Sequence, residues 1–99
     1  MFLVICEEMQ KLRDWLDDEG IEWYDDSDES EMFWMARTKF AVNTTTFSVI
    51  NGTGSYGGCV SWDSDNQGLL ECMINGNEPY GYLTADEVIA YVNKARGIK

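Results

Sequence analysis

The residues with the clearest potential for chemistry are a run of acids near the N-terminus. Ten carboxylates fall within the eighteen residues from Asp14 to Glu31, and no Lys or Arg interrupts them. A run of like charge is usually a solvated surface, but it can also attract a positively charged partner. Residues 1–31 hold twelve acids and two bases, whereas residues 32–99 hold six acids and five bases. Most of the net charge of −11 therefore belongs to one third of the chain.

General acid–base and nucleophilic chemistry find little support in the sequence. The chain has no histidine, which removes the commonest general base and the commonest zinc ligand. Carboxylates in a solvated run keep ordinary pKa values and make poor general acids. No Cys or Ser lies at a spacing from another residue that suggests a partner able to activate it as a nucleophile. We expect a protein that is not an enzyme, with no catalytic residue and no cofactor.

A glycine-dense segment fits part of a nucleotide-binding fingerprint. Residues 52–57 read G-x-G-x-x-G and follow an alternating, strand-like segment. The fingerprint needs a helix directly afterwards to receive a pyrophosphate, but residues 59–62 also look extended, so a hairpin loop is predicted. Backbone N–H groups of such a loop could still form an anion-binding concavity beside cations of a neighbouring strand. That small-ligand site would consist of Arg37, Lys39, Gly54, Ser55, Tyr56, Gly57 and Trp62.

Two aspartate-rich stretches imitate the first half of a calcium loop. Residues 63–68 have acids at the first and third positions and glycine at the sixth, but the twelfth is Ile74, where a bidentate glutamate is required. Residues 26–31 fail similarly, because the sixth position is Glu31 and the twelfth is Arg37. Turns stabilised by aspartate side chains are expected at both places, and no metal site is predicted.

The elements that must position these residues are two helices and a sheet. Apolar residues recur at steps of three and four from Ile5 to Leu16, which predicts a helix over residues 5–19 that ends at Gly20. Residues 84–87 match a capping box, and the apolar spacing that follows predicts a C-terminal helix reaching Gly97.

Between the helices, several segments have the character of strands. Residues 45–50 alternate most clearly, and residues 21–24, 32–42 and 69–74 are further candidates. Asn43 and Thr44 are predicted to form a turn, and residues 25–31 a solvated loop. We therefore expect a single domain over residues 1–99, of the α+β class, with an N-terminal helix, an antiparallel sheet of three to four strands and a C-terminal helix.

Charge and cysteine content indicate the compartment and the class of partner. The apolar start lacks a basic region and runs into Glu7, so neither a signal peptide nor a membrane span is expected. Cys6, Cys59 and Cys72 sit among apolar residues, which favours buried free thiols in a cytosolic protein. The net charge of −11 repels nucleic acids and anionic membranes, so direct binding to either is not expected. The chain is expected to act alone or as a small oligomer such as a homodimer.

Three strings in the second half of the chain resemble a known group of proteins. They are F-S-V-I-N-G-T-G-S-Y-G-G at 47–58, G-L-L-E-C-M-I-N-G at 68–76 and G-Y-L-T-A-D-E-V-I at 81–89. They are similar to strings in small accessory proteins encoded by bacteriophages and prophages of Gram-positive gut bacteria. The resemblance implies an inhibitor of a bacterial antiviral system, either an anti-CRISPR-like protein that imitates DNA or a sponge for nucleotide signals. It implies no role for any single residue.

The leading hypothesis is a phage-encoded inhibitor that binds stoichiometrically, in the host cytosol, to a basic or nucleic-acid-binding surface of a defence effector. Carboxylates on a folded scaffold can imitate the charge spacing of duplex DNA, about one charge per 1.7 Å. Aromatic residues beside them would anchor the contact. The alternatives are a sponge for a nucleotide second messenger, built on the small-ligand set above, and a structural or lysogeny-associated phage protein. The expected partner-binding residues are Asp17, Asp18, Glu19, Glu22, Trp23, Tyr24, Asp25, Asp26, Asp28, Glu29 and Glu31.

Overall fold

The chain folds as a helix, an antiparallel sheet and a second helix, as the α+β prediction stated. The computed structural model describes residues 5–29, 33–59 and 64–97. Within these ranges the elements are α1 (Glu7–Asp18), β1 (Trp23–Asp25), β2 (Asp28–Glu29), β3 (Trp34–Val42), β4 (Thr45–Gly52), β5 (Leu70–Ile74), β6 (Tyr80–Leu83) and α2 (Ala85–Ala95). None of the helices in these ranges has the length and apolar character needed to cross a lipid bilayer.

The sheet has the strand order β1-β3-β4-β5-β6, and every neighbouring pair is antiparallel. β2 pairs with β3 along the same edge as β1. Tyr24 lies opposite Lys39 and Asp28 lies opposite Met35, so the register continues unchanged from β1 to β2. The two short strands therefore act as one edge strand, residues 23–29, interrupted at Asp26 and Ser27.

The described part of the chain contains six strands, which is more than the three to four predicted. The prediction of a solvated loop over residues 25–31 was wrong for Asp25, Asp28 and Glu29, which pair with β3. Their polar composition argued for a loop, but the backbone of β3 offers hydrogen-bond partners that composition does not reveal. β6 was not predicted, because Tyr80–Leu83 is short, contains a glycine and is stabilised by pairing with β5, which the sequence does not show.

Both helices pack on the same face of the sheet. Alternation along β3 directs Ala36, Thr38 and Phe40 towards the helices, and the facing residues of β4 continue this layer. Phe40 and Phe47, which are opposite each other, stack with ring centroids 4.9 Å apart. The strands β3, β5 and β6 also contribute Val42, Leu70, Cys72 and Leu83, and the helices contribute Met9, Leu12, Leu16, Ala85, Val88 and Val92.

The helix boundaries agree with the sequence-based expectations to within two residues. Helix α1 ends at Asp18, and Gly20 adopts φ 70° while the Ile21 N–H donates to the Leu16 carbonyl at 2.9 Å. This geometry is the predicted glycine cap. At the start of α2, the Thr84 hydroxyl accepts from the Glu87 N–H, and the Glu87 carboxylate accepts from the Thr84 N–H, which confirms the capping box.

The three cysteines are free thiols, and Cys59 and Cys72 are buried as expected, whereas Cys6 is half-buried. Burial raises the pKa of all three thiols, and that of Cys72 reaches about 12. Because reaction needs both access and the thiolate, we expect a thiol reagent to modify the half-buried Cys6 first and Cys72 only as the protein unfolds. Labelling kinetics followed by mass spectrometry test this, and a Cys6→Ser variant should lose the fast phase. Equal labelling rates for Cys6 and Cys72 in the folded protein would contradict it.

Candidate functional site: the acidic edge and the uncovered sheet face

Two consecutive acids of the N-terminal run lie on opposite faces of the sheet. Asp25 is opposite Thr38 and faces the helices, so Asp26, the next residue, faces away from them. The Asp25 carboxylate accepts from the Ser27 hydroxyl and lies 3.4 Å from Arg13 Nη2. The Ser27 hydrogen bond and the Arg13 charge hold the pKa of Asp25 below its usual range. Asp25 is thus a structural carboxylate, half-exposed but already paired.

Arg13 is the buried cation that joins α1 to the edge strand. Only 6% of its surface is exposed. Its Nε donates to the Thr38 hydroxyl at 2.7 Å, and its Nη2 donates to the Arg37 carbonyl at 3.3 Å. Its guanidinium also lies 4.7 Å from the centre of the Trp23 ring. These contacts fix the position of the edge strand against the helix.

The sequence contained a signal for the structural role of Arg13 beyond its charge. Arg13 follows Met9 by four residues and precedes Leu16 by three, so the spacing places it on the apolar face of α1. A cation on an apolar helix face needs a partner, and Asp25 supplies it. Trp23, expected to be an anchor for a partner, is half-buried beneath this guanidinium. Tyr24 points the other way and is 61% exposed.

Asp26 is held by two cations on the outer face of the sheet. Its Oδ2 lies 3.0 Å from Lys39 Nζ and 3.6 Å from Arg37 Nη1. Hydrogen bonding to Lys39, the charge of Lys39 and the charge of Arg37 together lower the pKa of Asp26. Two residues of the predicted small-ligand set, Arg37 and Lys39, are therefore brought together, with a carboxylate of the acidic run already between them.

Other acids of the run are also engaged within the protein. Glu19 forms an ion pair with Arg96 at 2.9 Å, Asp17 accepts from the Trp23 indole N–H at 2.8 Å, and Glu22 accepts from the Tyr24 hydroxyl at 3.3 Å. Six acids of the run are exposed and form no ion pair with a described cation. We call these six residues the acidic edge: Asp14, Asp17, Asp18, Glu22, Asp28 and Glu29.

Within the acidic edge, Asp17 lies where α1 meets the edge strand, whereas Asp14 and Asp18 line a groove with Asp86 and Ile89 of α2. The contact of Arg13 with Asp25 and the hydrogen bond between Trp23 and Asp17 hold the C-terminal half of α1 beside β1. Asp28 and Glu29 extend the same edge along β3. Charged residues on an edge strand also discourage strand addition by another chain. Glu31, the last acid of the predicted partner-binding set, lies outside the described residues.

The glycine-dense loop is held mainly by its own hydrogen bonds. The Gly54 N–H donates to the Cys59 carbonyl at 2.6 Å, and the Ser55 N–H donates to the Gly52 carbonyl at 3.2 Å. The Tyr56 N–H donates to the Glu71 carboxylate at 2.9 Å. A carboxylate of the protein thus already occupies a position that an anionic ligand would take. Trp62, the last residue of the predicted small-ligand set, lies outside the described residues.

The face of the sheet opposite the helices forms an open groove of about 740 Å³. Two cross-strand rows line most of it. One row runs from Tyr24 through Lys39 and Ser48 to Met73, and the other runs from Arg37 through Ile50 to Glu71. The row positions place Arg37 and Glu71 two strands apart, so the cations lie at one side of the groove and Glu71 at the other.

Metal binding and likeness to known proteins add no further assignment. Among the described residues, no group of three or more Cys, Asp or Glu side chains is placed to hold a metal ion. Comparison with known protein families, curated proteins and solved structures finds no match. The geometry of the acidic edge and of the groove therefore carries the functional argument.

Proposed function

We propose that this protein is a non-enzymatic inhibitor that binds a basic, nucleic-acid-binding surface of a partner protein through its acidic edge. The observation that carries the proposal is the set of six exposed carboxylates without a described cation partner. Three lie on α1, one lies just before β1 and two lie on the edge strand, which a buried arginine ties to α1. Carboxylates held on an ordered scaffold lose little conformational freedom on binding, which favours affinity. Their field also increases the association rate with a cationic surface.

The resemblance to phage accessory proteins supports a bacterial antiviral effector as the partner, in the cytosol of the host cell. Asp25, Asp26 and Glu19 contribute less to docking in this proposal than the sequence alone suggested, because each is neutralised within the protein. Tyr24 supplies the exposed aromatic contact beside the acidic edge. Trp23 acts indirectly, as the ring on which Arg13 rests.

The test compares two double variants that change the net charge equally. Asp28→Asn/Glu29→Gln removes two charges of the acidic edge, and Asp65→Asn/Glu78→Gln removes two exposed charges that form no ion pair with a described cation. Binding to purified duplex-DNA-binding defence effectors is measured by biolayer interferometry at low and moderate salt. We expect about fivefold weaker binding for the first variant and less than about twofold for the second, with a steep loss of affinity on adding salt.

The same variants separate docking from protection of the sheet edge. If Asp28 and Glu29 only prevent strand addition, neutralising them produces self-association on size-exclusion chromatography with binding to the effector intact. That result would contradict the proposal. Equal loss of binding in both double variants would also contradict it, because the effect would then follow net charge and not the acidic edge.

A further inference from the structure

We propose that the groove on the sheet face opposite the described helices binds a small organic monoanion that carries a flat ring, such as a nucleotide phosphodiester. This site lies on the face opposite the helices and does not depend on the protein-docking proposal. A volume of about 740 Å³ falls within the range of small-molecule sites, which are mostly apolar with a few convergent polar groups.

The charged part of the site is the pair Arg37 and Lys39. Both cations already converge on one carboxylate oxygen, Asp26 Oδ2, at 3.6 and 3.0 Å. The arrangement therefore has the geometry to hold an oxyanion. Two cations and one carboxylate leave a single positive charge, which a monoanion would neutralise. The Asp26 side chain is 53% exposed, so a ligand oxygen can reach the cations beside it or in its place.

The flat part of the ligand is assigned to the row that contains Lys39. Tyr24 lies directly opposite Lys39, and its hydroxyl donates to Glu22 at 3.3 Å, which orients the exposed ring. Met73 stands at the other end of the row, with the small residue Ser48 between them. Bases stack readily on tyrosine rings, and a thioether contacts ring edges favourably.

Glu71 determines which end of the groove holds the charge. Glu71 lines the groove and its carboxylate accepts from the Tyr56 N–H, so an anion is repelled from that end and attracted to Lys39 and Arg37. The glycine-dense loop contributes none of the described residues that line the groove and contacts it only through Glu71, so the ligand's anion lies away from the loop.

The test uses three probes that separate charge from ring. Amide chemical shifts of the labelled protein are followed while 3′,5′-cyclic AMP, adenosine or dimethyl phosphate is added. We expect shifts at Tyr24, Lys39 and Ser48 with cyclic AMP, and about tenfold weaker binding of each of the other two probes. Binding of adenosine as tight as that of cyclic AMP, or shifts outside the groove, would overturn the proposal.

Three single variants test the assignment of the charges. Asp26→Asn keeps the side-chain shape and removes the resident anion, so cyclic AMP should bind about fivefold more tightly. The Lys39→Gln protein should bind cyclic AMP about tenfold more weakly than the unchanged protein. Lys94→Gln is the matched control, because Lys94 is exposed on α2 and forms no ion pair with a described acid. Equal affinities of the Lys39→Gln and Lys94→Gln proteins, each checked for an unchanged melting temperature, would refute the assignment.

Discussion

Replacing Arg13 with methionine is expected to lower the free energy of unfolding by about 2–3 kcal/mol. Methionine retains most of the packing volume but removes the donors to Thr38 and Arg37 and the contact with Trp23. Thr38 is fully buried, so its hydroxyl loses the Arg13 hydrogen bond without gaining water in exchange. Urea unfolding followed by tryptophan fluorescence measures the change.

The matched control for Arg13 is Lys11→Met in the same helix. Lys11 also forms one ion pair, with Asp86 at 3.2 Å, but its side chain is 52% exposed. An exposed pair of this kind contributes less than about 1 kcal/mol. Hydrogen exchange should in addition show faster opening of β1 in Arg13→Met and not in Lys11→Met. If the two variants were equally stable, Arg13 would not be the residue that positions the acidic edge.

Replacing Gly52 with alanine is expected to destabilise the protein by about 3 kcal/mol or more. A Cβ at Gly52 would overlap the Trp34 carbonyl and the Met35 backbone on the neighbouring strand. Backbone atoms cannot move aside as the end of a flexible side chain can, so β3 and β4 would have to separate. Circular dichroism and urea unfolding measure the effect, and failure to recover folded protein would be the extreme form of the same result.

Gly54→Ala is the control in the same loop. Gly54 has φ 82°, and an added Cβ there meets nothing within 4 Å. The Gly54→Ala substitution should lower the free energy of unfolding by about 1 kcal/mol, because alanine is disfavoured in the left-handed conformation. The comparison thus separates close backbone approach from conformational strain. Equal destabilisation by both substitutions would contradict the close approach of Gly52 to the backbone of β3.

Local patterns were sufficient to predict both helices and the main strands. The capping box at Thr84 and the spacing from Ile5 to Leu16 are interactions between residues near in sequence, so they can be identified without knowledge of the fold. The alternation of residues 45–50 likewise predicted β4, which continues to Gly52. β2 was missed because its pairing partner, β3, supplies the stabilisation that Asp28 and Glu29 lack by themselves.

The candidate site was predicted less completely than the fold. The run of acids was visible in the composition, but the composition did not show which of these acids are paired with cations of the protein. Asp25 and Asp26 are adjacent in sequence, yet they are paired with cations on opposite faces of the sheet. That division depends on which strand lies beside them. The small-ligand set was likewise divided, since Arg37 and Lys39 line the groove while the Tyr56 N–H is taken by Glu71.

The sequence alone determined the helices, the strand-forming segments and the concentration of negative charge in the first third of the chain, because these follow from composition and short-range spacing. Only the tertiary structure decided which exposed carboxylates have no described cation beside them, which cations neutralise the others, and that both described helices pack on the same face of the sheet. Those outcomes depend on contacts between residues far apart in the chain, such as Arg13 with Thr38 and Glu19 with Arg96. Electrostatic interactions act through distance in space, and the fold sets those distances.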